Sequence, residues 1–163
     1  DSNRPMLLAA IDEALPFCIA IDLGIVKDEY DAVLSAIKDA AASCDILITS
    51  GGVSMGSRDF VKPVLAEMAT IHFGRVCMKP GKPLTFATFR DDQNCCAIGL
   101  PGNPVSAFVC FHLVVAAAAK VLGGWPRDKA LGTIIDVLLD HDFKLDPERP
   151  EYHRVSLRVS SRP

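Results

Sequence analysis

The stretch EYDAVLSAIKDAAASCDILIT, residues 29–49, predicts an amphipathic helix followed directly by a buried strand. From Glu29 to Cys44 the apolar residues recur at helical spacing, and residues 45–49 form a short apolar run of strand length. A second apolar run, residues 17–21, precedes the helix and also has the length of a strand. This order of strand, helix and strand predicts an α/β protein in which three layers, α/β/α, are built around a mostly parallel sheet.

Further helices and extended stretches are predicted along the rest of the chain. Ser2 is placed to cap a helix over residues 4–15. Periodicity then predicts a helix at 58–68, extended stretches at 71–78, 84–89 and 95–100, and a long apolar helix at 104–122.

A boundary is predicted at residues 123–126, where the sequence reads GGWP. Beyond it, residues 131–144 and 152–159 are predicted to be strands with no helix between them. We therefore expect an α/β domain over residues 1–124 and the beginning of a β-rich C-terminal domain over residues 125–163. Because the chain opens on a helix where a strand is expected, we also expect it to be part of a longer protein.

Composition narrows the class of protein. The chain has 163 residues, 50% of them hydrophobic, with a net charge of -3 and 7% aromatic residues, which is typical of a compact globular domain and not of a nucleic-acid-binding protein. No apolar run approaches the roughly 20 residues of a membrane span, and no signal peptide is visible, so we expect a cytoplasmic protein. The six cysteines show no CxxC spacing, which favours buried thiols in a reducing compartment over a zinc site.

Three unusual loops each follow an apolar strand, where ligands collect in open α/β sheets. The first, SGGVSMG at residues 50–56, offers backbone amides at Gly51, Gly52 and Gly56 and a hydroxyl at Ser54, just before a helix. Such a loop suits a phosphate or another oxyanion. The glycines are equally explained by a tight turn between strand and helix. Ser57-Arg58 stands where a P-loop carries Lys-Ser or Lys-Thr, which disfavours nucleotide triphosphatase chemistry.

The second loop, KPGKP at residues 79–83, carries two lysines on a segment stiffened by two prolines. Because proline fixes φ, Lys79 and Lys82 lose less entropy when they are held toward one target. Arg75, four residues upstream, adds a third cation. The pattern favours a convergent cationic patch over solvated surface lysines.

The third loop, LPGNPVS at residues 100–106, places Asn103 at a helix N-cap and Pro104 at the first helical position. Free amides at this helix start are expected to point at the loop. A well-capped helix explains Asn103 and Pro104 fully, whereas Pro101, Gly102 and Ser106 are better explained by an anionic ligand.

Two aspartates complete the set. Asp28 ends the loop after the first predicted strand, and Asp59 follows the glycine loop. Carboxylates beside an anion site favour a bridging Mg²⁺, although each aspartate would also serve as an ordinary acid at a helix start.

The motifs SGGVSMGSRDF, KPGKPLTF and LPGNPVSA, in this order and at this spacing, resemble the molybdopterin molybdenumtransferase family, which includes bacterial MoeA and the E domains of gephyrin and its plant relatives. The resemblance covers residues 1–124 and extends to 149–154. It implies a fold like that of MoaB and MogA, with adenylated molybdopterin and molybdate as substrates, insertion of molybdate with release of AMP, assistance by Mg²⁺, and a homodimer.

By the same resemblance, Asp28 and Asp59 correspond to the acidic, metal-associated positions. The positions that line the molybdate pocket correspond to Lys79, Lys82, Pro83, Ser106 and Arg149, and those of the phosphate-facing loop to Ser54 and the glycines. Lys79, Asp28 and Asp59 are the expected catalytic residues, while Arg75 stands where bacterial members carry lysine.

Alternative functions remain open. The adenylyltransferase of the same pathway uses a similar fold, and we place it second because its relatives continue differently after the paired glycines. It is also a possible domain partner. A scaffold that anchors receptors, as gephyrin does, is the non-enzymatic alternative.

Overall fold

A computed structural model describes residues 1–54, 56, 59–90 and 94–159. The helices are α1 (Asn3–Ala14), α2 (Tyr30–Ala41), α3 (Val61–Met68), α4 (Pro104–Cys110), α5 (Ala116–Leu122) and α6 (Arg127–Ala130), with a π-helical turn (Phe111–Val115) between α4 and α5. The strands are β1 (Ile46–Ser50), β2 (Ala69–Phe73), β3 (Thr85–Phe89) and β4 (Cys96–Leu100).

The four strands form one sheet in the order β1-β4-β3-β2. β1 runs parallel to β4, whereas β3 is antiparallel to both β4 and β2. The α/β class is confirmed, but the sheet is mixed where a mostly parallel sheet was predicted. The reason is that no helix separates β2 from β3 or β3 from β4, and parallel neighbours need a long crossover.

Two hydrophobic cores lie on opposite faces of this sheet, which confirms the three layers. Along β4, Ile98 packs with α1, α4, the π-helical turn and α5, while the adjacent Ala97 packs with α2 and α3. This division follows from the alternation of side chains in a strand. The largest fully buried residues of the first core are Phe111, Leu15, Leu84, Ile98 and Leu100.

The long helix predicted at 104–122 is confirmed as a continuous helical segment of 19 residues. By length and apolar composition it is the one helix among the described residues that meets the requirements of a membrane span. Its Ala107, Cys110, Phe111 and Val115 are buried in the core against the sheet. The packing therefore identifies this helix as an outer layer of the domain.

The strand predicted at residues 17–21 is wrong. The segment begins in a turn and pairs with none of the described strands, and the Ile19 side chain is 91% exposed. An apolar run forms a strand only where a neighbour supplies the hydrogen bonds. What holds the following loop is an ion pair of 2.7 Å between Arg4 and Asp22, which lowers the pKa of the Asp22 carboxyl through its hydrogen bond.

The two strands predicted at 131–144 and 152–159 are also wrong. Within the described residues up to 159 the backbone here is irregular apart from one isolated bridge between Lys79 and Glu151. Ile134 and Leu138 are 90% and 100% exposed, so these apolar runs have no partner sheet. That residues 125–163 begin a β-rich domain remains a prediction.

Helix starts differ from the predictions in two places. The Ser2 side chain makes no capping hydrogen bond, and the Asp1 carboxylate instead accepts the backbone N–H of Arg4 at 3.2 Å. The next discrepancy is in α3, which begins at Val61, not at Arg58. Arg58 itself, with Met55 and Ser57, lies outside the described residues.

The close contact of β4 with the glycine loop generates a stability prediction. A methyl group on Gly99 would lie 2.6 Å from Cγ1 of Val53, which is fully buried. We expect Gly99→Ala to lower the free energy of unfolding in urea by about 1 to 3 kcal/mol, the usual cost of overpacking. Gly132→Ala, where a methyl group meets open space, is the control. Equal unfolding midpoints for the two variants would contradict this packing.

Candidate functional site

The ends of β1 and β4 bring two of the three loops together. Because the two strands are parallel and Ser50 pairs with Leu100, both chains leave the sheet at the same edge. The Gly51 N–H then donates to the Leu100 carbonyl at 3.0 Å. A methyl group on Gly102 would lie only 3.6 Å from the Gly51 Cα. The glycine loop (residues 50–60) and the proline loop (residues 100–106) are therefore in direct contact.

The glycine loop turns sharply at Gly51 and Gly52, whose φ angles are +87° and +69°. The Gly52 carbonyl accepts the Val61 N–H at 3.2 Å, and the Gly56 N–H donates to the Asp59 carboxylate at 2.6 Å. Among the described residues, no acceptor pairs with the amide N–H groups of Gly52, Val53 or Ser54. These amides and the exposed Ser54 are the donors that the loop can offer to an anion.

In the proline loop the predicted cap is confirmed. The Asn103 side-chain oxygen accepts the N–H groups of Val105 and Ser106 at 3.0 and 3.2 Å, and the Ala107 N–H donates to the Asn103 carbonyl. The expectation of free amides at this helix start is wrong, because the cap uses them all. What the helix start offers to a ligand is the half-buried Ser106 hydroxyl and the positive end of the helix dipole.

The lysine loop (residues 79–83) packs on the same helix. The Lys79-Pro80 peptide bond is cis, and a methyl group on Gly81 would lie 2.6 Å from the Cys110 sulfur. Cys110 and Ser106 are four residues apart and so share one face of the helix. The lysine loop and the proline loop thus approach each other across one helical turn.

Lys79 is held by the chain after residue 144. Its ammonium lies 2.6 Å from the Glu151 carboxylate and 3.6 Å from that of Asp146. Its backbone N–H donates to the Pro150 carbonyl, and its carbonyl accepts the Tyr152 N–H. Asp146 also pairs with Arg149 at 2.7 Å. The predicted site residues Lys79 and Arg149 are therefore brought together, with carboxylates between them.

These contacts shift the ionisation of each partner. The hydrogen bond to Glu151 raises the pKa of Lys79, and the same bond lowers the pKa of Glu151. The hydrogen bond from Arg149 lowers the pKa of the Asp146 carboxyl to about 2. All of these groups are consequently charged at neutral pH.

The other predicted cations are arranged differently. Lys82 and Arg75 are exposed, and the Lys82 carbonyl accepts the Val76 N–H at 2.9 Å, so the backbone after Arg75 runs beside the lysine loop. Pro83 is half-buried at the end of the same loop. Neither side chain forms an ion pair with another of the described residues.

The two acidic positions precede neighbouring helices. Asp28 is exposed in the irregular segment before α2, and Asp59 is half-buried and accepts the Gly56 N–H. The ring of Tyr30, at the start of α2, lies 6.1 Å from the ring of Phe60, which follows Asp59. No group of three ligating side chains is present in the part of the chain that the structure describes.

Comparison with known proteins identifies the family. A family model described as a probable molybdopterin binding domain matches residues 1–120. The chain belongs to the family of molybdopterin binding domains. It is 40% identical to gephyrin of Dictyostelium discoideum over 181 aligned positions (96% of this chain, 25% of that protein), and 43% identical to the molybdopterin molybdenumtransferase of Haemophilus influenzae (94% and 38%).

A solved structure is also similar. It is the molybdopterin biosynthesis MoeA protein of Pyrococcus horikosii, with a TM-score of 0.66 and 26% identity, covering 78% of this chain and 30% of that one. The molybdopterin binding domain described by these residues therefore spans between a quarter and two fifths of the relatives that it matches.

Asn3, which the sequence analysis missed, joins two loops of the candidate site in this molybdopterin binding domain. Its side-chain amide donates to the Ser50 hydroxyl at 2.7 Å and to the Gly102 carbonyl at 2.9 Å, so it ties the glycine loop to the proline loop. Asn3 is buried in the first turn of α1. A polar residue in the first turn of an apolar helix could have marked Asn3 as unusual. Its two partners could not be predicted, because they are distant in sequence.

Lys62 was also missed. Its ammonium donates to the Gly74 carbonyl at 2.7 Å, beside Arg75. Partial burial and the positive charge of Arg75 lower the pKa of Lys62, while Asp59 opposes this shift. Lys62 thus adds a cation to the edge of the sheet where Arg75 and Asp59 lie.

The bonds of Asn3 yield a testable expectation. Asn3→Asp replaces the donor with an acceptor that faces the Gly102 carbonyl, so we expect a loss of about 1 to 3 kcal/mol in the free energy of unfolding, which corresponds to two buried hydrogen bonds. Amide exchange at Gly51 should accelerate as the loops separate. Asn94→Asp, an exposed site with the same charge change, is the control. If both variants unfold like the wild type, Asn3 does not join the loops.

The contact between Lys79 and residues 146–151 should depend on pH. The Asp146 and Glu151 pKa values lie below their ordinary values of 3.8 and 4.5. The contact therefore stabilises the fold fully above about pH 4.5, and its contribution is lost as the pH falls through the folded values, about 2 for Asp146.

The amide resonance of Tyr152, bonded to Lys79, should report this transition in an NMR titration from about pH 6 to about pH 1, which includes the Asp146 pKa of about 2 and the range below the ordinary 4.5 of Glu151. Glu151→Gln should abolish the part of the change that Glu151 contributes. A titration curve that Glu151→Gln leaves unaltered would show that other groups control the contact.

Proposed function

We propose that this chain supplies the oxyanion-binding part of a molybdopterin molybdenumtransferase, which inserts molybdate into adenylated molybdopterin with release of AMP. The observation that carries the proposal is that the lysine loop packs on the helix that begins in the proline loop, while its Lys79 shares the Asp146 carboxylate with Arg149. Membership of the molybdopterin binding family supports the substrate class. The activity of the whole protein is part of the proposal because the chain spans only part of its relatives.

The charges suit this chemistry. Molybdate is a dianion, and its binding from water requires cations and hydrogen-bond donors held in place. Lys79, Lys82 and Arg149 would supply the cations, and Ser106 a hydroxyl donor. Pro83 limits the motion of the lysine loop. Since the attacking sulfurs belong to the pterin substrate, the protein has to align the reactants and neutralise charge, without a nucleophile of its own.

The glycine loop would hold the phosphate end of the substrate. The amides of Gly52 and Val53 and the hydroxyl of Ser54 are the donors, and the adjacent proline loop, with Pro101, Gly102 and Asn103, forms the opposite wall. Lys62 and Arg75 lie near Asp59, at the end of the glycine loop. A phosphate would thus be bound mainly by backbone amides, with cations at the rim.

The proposal also includes assistance by Mg²⁺, a homodimer and a cytoplasmic location. Mg²⁺ commonly takes one or two carboxylates and completes its shell with water and substrate oxygens. Asp59 and Asp28, which precede neighbouring helices, could supply such carboxylates, and we assign no step to the ion. We also propose that the longer protein acts as a cytoplasmic homodimer; all six cysteines of the chain are free thiols, as a reducing compartment requires.

Equilibrium dialysis of molybdate against the 163-residue chain tests the proposal. We expect saturable binding that Lys79→Met weakens by about 10- to 100-fold, the loss of one charge-assisted contact. Arg149→Met should have a similar effect. Lys38→Met, an exposed lysine at the end of α2, should bind like the wild type. Binding that survives both Lys79→Met and Arg149→Met would reject this site.

Turnover is measured separately, as molybdate-dependent AMP release from adenylated molybdopterin. Variants of Lys79 should lose turnover in proportion to their loss of molybdate binding at low molybdate concentration. AMP release without molybdate would instead indicate a hydrolase.

A further inference from the structure

One carboxylate oxygen of Asp146 contacts both cations of the proposed oxyanion site. Its Oδ2 lies 2.7 Å from Arg149 Nη2 and 3.6 Å from Lys79 Nζ. Two cations that share a single oxygen in this way define a position suited to any oxyanion. The Asp146 carboxylate fills that position.

The second carboxylate oxygen of Asp146 is bonded to the turn that Asp146 begins. Its other oxygen, Oδ1, accepts the backbone N–H groups of Glu148 and Arg149, both at 3.1 Å. Because the two oxygens belong to one planar carboxylate, a rotation that moves Oδ2 away from the cations also breaks the two Oδ1 bonds. Residues 145–151 line a shallow depression on the surface, from which a small anion can approach Oδ2.

Glu151 has a different arrangement, although it binds Lys79 more closely. Its side chain is only 3% exposed and lies between Lys79 at 2.6 Å and His153 at 2.7 Å. The backbone bonds of Lys79 to Pro150 and Tyr152 flank it on both sides. Glu151 is therefore fixed and orients the Lys79 ammonium, whereas Asp146 makes the longer contact with that ammonium.

We propose that Asp146 is an internal competitor of the oxyanion: its carboxylate occupies the position between Lys79 and Arg149, and the ligand binds by displacing it. This inference rests on the proposed function, since it assigns the ligand to the same cations. The exchange replaces one negative charge at the two cations with the ligand's own, and it therefore favours a dianion with several oxygens over a monoanion. Asp146 would thus weaken binding while it increases selectivity.

The ionisation of Asp146 agrees with this role. Because Arg149 lowers its pKa to about 2, the competing carboxylate is fully charged at neutral pH. Displacement by a ligand separates it from both cations, and its pKa should then rise toward the ordinary value of 3.8.

Asp146→Asn is the sharpest test, because the amide keeps an oxygen for the turn and removes the competing charge. We expect its Kd for molybdate, measured by equilibrium dialysis at low salt, to be at least about threefold lower than that of the wild type, as for the loss of one partly exposed charge pair. Asp136→Asn, which removes the same charge from an exposed position outside residues 145–151, should leave the Kd unchanged. The gain should shrink at high salt.

If Asp146→Asn binds molybdate as tightly as the wild type or more weakly, Asp146 is not a competitor. If Lys79→Met weakens binding in the same series, the proposed oxyanion site stands while the competitor alone fails. If no variant and no wild type binds molybdate, both the site and the competitor fail. As an independent readout, the carboxyl carbon resonance of Asp146 should titrate at higher pH with saturating molybdate than without it; an unchanged titration shows that Asp146 is not displaced.

Discussion

The parallel pairing of β1 with β4 is the constraint on which the site depends. It places Ser50 beside Leu100, and so the glycine loop and the proline loop leave the sheet at one edge. Asn3 then fixes the spacing of these loops by donating to Ser50 and Gly102. The long helix that starts in the proline loop carries Cys110, on which the lysine loop rests. Each loop is thus positioned by backbone pairing or core packing rather than by its own sequence.

Charge compensation is the second principle of the arrangement. A cluster of cations built for a dianion is electrostatically unfavourable when the ligand is absent, and nearby carboxylates relieve this repulsion. Here Glu151 and Asp146 neutralise Lys79 and Arg149, and the pKa shifts of all four groups favour their charged forms. The binding free energy of an oxyanion is then a difference between two sets of ion pairs, which makes it sensitive to single carboxylates.

Local signals predicted a large part of this structure. The periodicity of α2, the apolar run of β1 and the Asn103-Pro104 helix start depend on neighbouring residues, and all three are confirmed. The strands predicted at 17–21, 131–144 and 152–159 are wrong because a strand depends on a distant partner, which no local pattern reveals. For the same reason the ties made by Asn3 and Lys62, and the pairing of Lys79 with Glu151, could not be predicted.

The most direct test of the account is a crystal of the chain soaked with molybdate, with diffraction data collected on both sides of the molybdenum absorption edge. The account predicts an anomalous peak within hydrogen-bond distance of the Lys79 ammonium and the Arg149 guanidinium, with the Asp146 side chain turned away. A peak elsewhere on the chain, with the contacts of Lys79 to Asp146 and Glu151 unchanged, would contradict it.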